Sequence, residues 1–178
     1  YALSGTTETA TVTLPSSREW MYVHAWTDGP DGKQWTLTSQ SLIDGSTTVS
    51  SLSRTYENVG FLSGLPLKVP DVQTIVQDGV TFTTDCDYSS SNFHDYLQPN
   101  SVTESASNHS VTRVTTSTFD YGFSSGYILP KVASTTVTIG SGSVSTSFDY
   151  NHTTGLLSSQ TARGSTSTFS HDAFGNPS

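Results

Sequence analysis

The sequence predicts an all-β protein built from antiparallel hairpins. Three observations lead there. Sixty of the 178 residues are Ser or Thr, with 31 of the first and 29 of the second. Thr suits a pleated, half-solvated strand, because its branched Cβ is stiff and its hydroxyl tolerates water. Short β-prone runs follow one another, separated by Asp-Gly and Gly-Ser turns. Apolar residues do not recur at helical spacing, so no helix of two turns or more is expected.

The elements follow in order. Thr6 to Leu14 is a β-prone run with partial alternation, and Trp20 to Trp26 is the most aromatic strand. Asp28-Gly29-Pro30-Asp31-Gly32 is a turn, and Trp35 to Leu42 returns from it. Strict alternation there puts Trp35, Leu37, Ser39 and Ser41 on one face, and Thr36, Thr38 and Gln40 on the other. Asp44-Gly45 turns the chain into Thr47 to Tyr56. Val72 to Val76 and Val80 to Thr84 flank Gln77-Asp78-Gly79, whose Asp-Gly pair favours a tight hairpin. Ser89 to Asn100 reads as a longer loop. Ser110 to Tyr121, Val132 to Ile139, Val144 to Tyr150, Leu156 to Ala162 and Ser165 to His171 complete the strands.

Charge excludes several functions. The net charge is −8, and the seven basic residues, Arg18, Lys33, Arg54, Lys68, Arg113, Lys131 and Arg163, are scattered. Nucleic acid needs clustered Lys and Arg, so it is not an expected partner. No apolar run approaches the ~20 residues of a membrane helix, so no membrane insertion is expected. Cys86 is the single cysteine, which rules out an intramolecular disulfide. It reads as an inert residue packed on a strand, with an intermolecular bridge as the alternative. The acidic balance and hydroxyl-rich composition point to an extracellular or cell-surface location. A start at Tyr1 without a signal peptide reads as a processed chain or an excerpt of a longer one.

Internal repetition is the strongest signal. Ser117-Thr118-Phe119-Asp120-Tyr121 runs through four residues to Gly126-Tyr127-Ile128. Thr146-Ser147-Phe148-Asp149-Tyr150 runs through four residues to Gly155-Leu156-Leu157. Thr168-Phe169-Ser170-His171-Asp172 reaches Gly175 with a spacer one residue shorter, and Asp85-Cys86-Asp87-Tyr88 is a fainter copy. In each unit the strand ends on rings that share a face, and that face is expected to be buried. The chain then turns to a Gly and returns, so that neighbouring hairpins stack. The anchors are Tyr88, Phe119, Tyr121, Gly126, Phe148, Tyr150, Gly155, Phe169, His171, Asp172 and Gly175.

This pattern resembles the YD-repeat (Rhs-repeat) family, best over residues 144–178 and more weakly over 54–143. Tyr150-Asn151-His152-Thr153-Thr154-Gly155-Leu156-Leu157 is similar to the family's Tyr-Asp-x-x-x-Gly-x-Leu unit. His171-Asp172-Ala173-Phe174-Gly175-Asn176 is similar to its shorter form, and only there does Asp172 supply the motif's Asp. Residues 54–178 thus form the hairpin repeats, and residues 1–53 an N-terminal β segment that serves as strand donor or cap. The resemblance implies a large antiparallel sheet, spiralling or sandwich-like. In the family, long arrays enclose toxic payloads or form ectodomains that bind other cell surfaces.

No catalytic, cofactor or metal site is expected. His24, His94, His109, His152 and His171 show no metal-ligand spacing, and no nucleophile elbow or phosphate-cradling loop is present. Asp85, Asp87, His94 and Asp95 are the nearest approach to a cluster and read as a solvated loop beside a strand. Asn108-His109-Ser110 and Asn151-His152-Thr153 fit the glycosylation triplet, which carries little weight in a chain this rich in Ser and Thr.

The function expected from the sequence is non-enzymatic. The chain reads as an extracellular structural repeat whose partners are copies of itself. The C-terminal repeat stops at Gly175-Asn176-Pro177-Ser178, before a return strand, and strand addition between subunits would give a filament or surface layer. One alternative is an excerpt of an Rhs-type toxin shell or adhesin. Another is a carbohydrate-binding module using Trp20, Trp26 and Trp35 as a stacking platform for glycans.

Overall fold

The computed structural model describes residues 7–29, 32–60, 66–88, 98–124 and 130–176, without the side chains of 27–35 and 58–68. These residues form twelve strands and no helix. The strands are β1 (Thr7–Thr13), β2 (Arg18–Gly29), β3 (Gly32–Asp44), β4 (Thr47–Gly60), β5 (Pro66–Gln77) and β6 (Val80–Asp87). They continue with β7 (Ser101–Ala106), β8 (Arg113–Asp120), β9 (Lys131–Ile139), β10 (Gly142–Tyr150), β11 (Leu157–Ala162) and β12 (Ser165–Thr168). The protein is all-β. Strand order follows chain order, and the described registers are antiparallel.

The chain forms two compact units. One comprises residues up to Cys86 with Glu104–Ser110, the other Asp87–Thr103 with the residues from Val111 onward. In the first unit, cross-strand pairing lines up Ala10, Tyr22, Gln40, Leu52, Ile75 and Phe82 in one row. The opposite face carries Thr9, Val23, Ser39, Ser53, Thr74 and Thr83. One face is thus rich in apolar and aromatic residues, and the other in hydroxyls.

The second unit shows where much of the Ser and Thr goes. Thr118, Ser134, Ser147, Thr161 and Thr166 stand side by side on five successive strands. Hydroxyls bond across the strands between Thr118 and Ser134 at 2.7 Å and between Thr161 and Thr166 at 2.7 Å. Two residues along the β9–β10 ladder Thr136 and Ser145 meet at 2.9 Å. Each such pair contributes a few tenths of a kcal/mol, to about 1 at most.

Among the described residues there is little dry core. Among the described residues Val69, at 3% exposure, is the buried hydrophobic residue, and Thr36, at 9%, the buried polar one. The expected burial of the aromatic repeat face is therefore corrected. Tyr121 is 42% exposed and Phe169 39%, while Phe148, Tyr150 and Tyr88 are half-buried. Extended ladders and clasped strand ends replace interior packing.

A second correction concerns β3. Val23 pairs with Ser39 but the next residue, His24, pairs with Leu37, so Thr38 is an extra residue in β3. This bulge puts Leu37 and Ser39 on opposite faces, where strict alternation had them together. Thr38 and Thr36 donate their hydroxyls to the carbonyls of Val23 (3.0 Å) and Ala25 (3.2 Å).

β7 is a strand that the sequence reading left unassigned. The strand expected from Ser165 to His171 is shorter, ending at Thr168, with His171 bridged singly beyond it. Asp78-Gly79, Gly140-Ser141 and Arg163-Gly164 turn the chain where expected, while residues 30–31 and 89–97 of the expected connections lie outside the described residues. Asp78-Gly79 and Arg163-Gly164 both take positive φ at each residue, the combination that matches the twist of two-residue hairpins.

Candidate functional site: tyrosine clasps and the strap over Tyr150

The same hairpin is built several times. In β3–β4 the last paired residues at the open end are Ser39 and Ser53. The residue before Ser39, Thr38, is the bulge, and the residue before that, Leu37, offers its carbonyl. Tyr56, three residues beyond Ser53, donates its hydroxyl to that carbonyl at 2.8 Å. In β9–β10 the last pair is Ser134 and Ser147. Ala133 is the bulge against β8, since Thr118 pairs with Ser134 and Phe119 with Val132. Tyr150, three residues beyond Ser147, donates its hydroxyl to the Val132 carbonyl at 3.0 Å. A bulge interrupts the ladder and turns a carbonyl away from it, and the tyrosine of the next strand satisfies that carbonyl.

Two more hairpins share this register. In β11–β12 the last pair is Ser159 and Thr168, Ser158 is the bulge against β10, and His171 stands three residues beyond Thr168. In β5–β6 the last pair is Val72 and Asp85, and Tyr88 stands three residues beyond Asp85. The ladder of β4 with β5 shifts directly before Val72, where Thr55 accepts from the Val72 N–H at 3.0 Å and donates to Asp71 at 3.0 Å.

The link from Tyr150 to Gly155 is a polar turn between hairpins. The closed hairpin is β9–β10, with its turn at Gly140-Ser141, and the Tyr-to-Gly segment joins β10 to β11. This revises the repeat boundary read from the sequence. Asn151 Oδ1 accepts the N–H groups of Thr153 (2.9 Å) and Thr154 (3.0 Å), and Gly155 N–H donates to the Asn151 carbonyl at 2.7 Å. Asp172 does the same in the shorter copy. Its Oδ1 accepts from Phe174 and Asn176 N–H, both at 2.9 Å, and its carbonyl accepts from Gly175 at 3.0 Å. Asn151 thus fills the role that Asp fills at 172. The Asn176 side chain, followed by its backbone N–H, holds the Asp172 carboxyl below the usual carboxylate range.

A strap crosses the Tyr150 clasp. His152 Nε2 lies 2.8 Å from Asp120 Oδ2, and Asp120 Oδ1 accepts from Gly122 N–H at 2.8 Å. Ser124 donates to the His152 carbonyl through its N–H at 2.9 Å and its hydroxyl at 3.2 Å. The Phe123 ring packs edge-on against His152 (5.4 Å) and Tyr150 (6.1 Å), and Lys131 Nζ sits 5.9 Å from the Tyr150 centroid. A Cβ on Gly122 would come within 2.8 Å of the imidazole, so the strap needs glycine there. The Ser124 hydroxyl meets the His152 main-chain carbonyl and not its imidazole, so the two side chains do not form a nucleophile–base hydrogen bond.

Burial, then the Asp120 charge, raises the Tyr150 hydroxyl above the ordinary tyrosine value of about 10. The folded chain favours the neutral phenol. This contribution to stability is complete below about pH 10 and is lost as pH rises through the raised value. An alkaline titration followed by circular dichroism should therefore show a destabilising limb above about pH 10 that Tyr150→Phe reduces. An unchanged limb would mean that the hydroxyl is not linked to folding.

Other expected residues are placed as follows. Trp20 and Tyr22 have ring centroids 6.3 Å apart, tilted by 30°. Alternation along β2 puts Trp20, Tyr22, His24 and Trp26 on one face, all half-buried. Trp26 and Trp35 are cross-strand partners by register, and the side chain of Trp35 lies outside the described residues. Gly126, His94 and Asp95 also lie outside them. Gly155 is buried with φ +72°, and Gly175, with φ +85°, faces the Leu156 methyls. Cys86 is half-buried on β6. Among the described residues no group of three or more His, Cys, Asp or Glu could hold a metal ion.

Tyr56 was missed by the sequence reading as an anchor. The signal that could have found it is Ser53-Arg54-Thr55-Tyr56, which matches Ser147-Phe148-Asp149-Tyr150 in its first and last positions. No protein-family model matches the chain, and no curated protein matches it.

Proposed function

We propose that this chain is a non-enzymatic structural repeat protein of the YD (Rhs) kind, acting outside the cell or on its surface. Its sheet is extended by strand addition from further copies of itself. The observation that carries this reading is the recurrent hairpin, in which a bulge, a tight turn and a tyrosine three residues past the last pair return at fixed register. Such units stack by backbone pairing and need no dry interior, so the same geometry can propagate from one chain to the next. Every residue of β1 is exposed, and among the described residues β2 is the neighbour of β1 in strand order. Its remaining edge is the one that would take an incoming strand.

Purified protein examined by light scattering and negative-stain microscopy should show assemblies that grow with concentration. Thr9→Lys together with Thr11→Lys should suppress them, because charge on an edge strand opposes pairing. Monomers at every concentration would sink the reading.

A further inference from the structure

We propose that the β11–β12 hairpin is the sheet's built-in opening element, because its clasp position is occupied by a histidine that makes no clasp. In β4 and β10 the residue three beyond the last ladder pair is a tyrosine bonded to the carbonyl before the bulge. The same position in β11–β12 is His171, and the matching carbonyl is that of Leu157. An imidazole is shorter than a phenol. Among the described residues the His171 ring forms no hydrogen bond.

What holds β12 is correspondingly slight. Its four residues are all exposed and pair with Ser159 to Ala162. The Thr161–Thr166 hydroxyl pair, the Phe169 N–H to Ser158 carbonyl bond (2.9 Å) and the single bridge at His171 add to the attachment. β10 is held by longer ladders, by its clasp and by the strap. Local opening concentrates where ladders are short, exposed and poorly packed. Release of β12 bares one edge of β11, from Leu157 to Ala162, the kind of edge that takes an incoming strand. This follows from the single chain and does not depend on whether copies assemble.

Hydrogen exchange followed by mass spectrometry on the intact, unassembled chain tests it. Amides of residues 159–168 should exchange faster than those paired between β9 and β10. His171→Tyr should slow the 159–168 amides about two- to tenfold and leave β9–β10 unchanged, the effect of one added hydrogen bond. His171→Phe, which supplies the ring without the hydroxyl, should not. The proposal is overturned if 159–168 are protected as well as β9–β10, if His171→Tyr changes nothing, or if His171→Phe slows exchange equally.

Discussion

Tyr150→Phe should cost about 1 kcal/mol of stability, and Tyr150→Ala roughly 3 kcal/mol or more. The phenylalanine variant keeps the ring against Phe123 and removes only the hydroxyl that satisfies the Val132 carbonyl. The alanine variant also removes the surface on which Phe123 and Lys131 rest. Tyr56→Phe should cost about as much as Tyr150→Phe, because its hydroxyl meets the Leu37 carbonyl at 2.8 Å in the same register. The two lie in different compact units, so their effects should add. Chemical denaturation of the two single variants and the double variant measures this. For a unit of about 90 residues each kcal/mol corresponds to roughly 4–8 °C in Tm. Tyr→Phe effects near zero at both sites would show that the carbonyls find water as readily as the phenol, and the clasp would lose its energetic meaning.

The second large effect is expected at Gly155. It is buried, its φ is +72°, and its N–H closes the Asn151 turn at 2.7 Å. A side chain there meets two costs at once. The left-handed conformation disfavours any Cβ by roughly 1–2 kcal/mol, and a β-branched residue by more. The position is buried, and atoms added to close-packed surroundings carry a further cost. Gly155→Ala should therefore destabilise by about 2 kcal/mol and Gly155→Val by about 3 or more. Gly45 makes a useful control. It too has positive φ (+61°), but nothing lies within 4 Å of an added Cβ, so Gly45→Ala should show only the backbone cost. Equal losses at the two positions would remove the packing argument.

The strands were legible in the sequence because their punctuation is chemical. Asp78-Gly79 and Gly140-Ser141 are turn residues whatever surrounds them, and β-branched runs between them have few other conformations open. β7 was not legible. Ser101 to Ala106 reads S-V-T-E-S-A, without an aromatic residue or a strong turn beside it. The bulges escaped for a different reason. Nothing about Thr38 or Ala133 marks it as an extra residue, since a bulge is a property of two strands pairing and not of one. Misplacing it inverts the faces, which is why Leu37 and Ser39 were put together. Tyr150 stood out as a repeat anchor and Tyr56 did not, and what either anchors to was hidden. A backbone carbonyl released by a neighbouring strand's bulge leaves no trace in composition. Burial was misjudged because two rings on one face ordinarily imply a covered face, whereas here ladders and clasps carry much of the load.

Strand order that never departs from chain order has a bearing on how the molecule comes to exist. Every pairing joins segments adjacent in sequence, so no contact has to wait for a distant part of the polypeptide. Chains with such short-range topology close small loops first and fold comparatively fast for β proteins. A clasped hairpin can be completed and fastened as soon as its tyrosine arrives, while later residues are still being synthesised or threaded through a translocation channel. Growth would then proceed by accretion, one fastened hairpin serving as the template for the next. Loss or duplication of a hairpin during evolution would change the length of the sheet without disturbing its register.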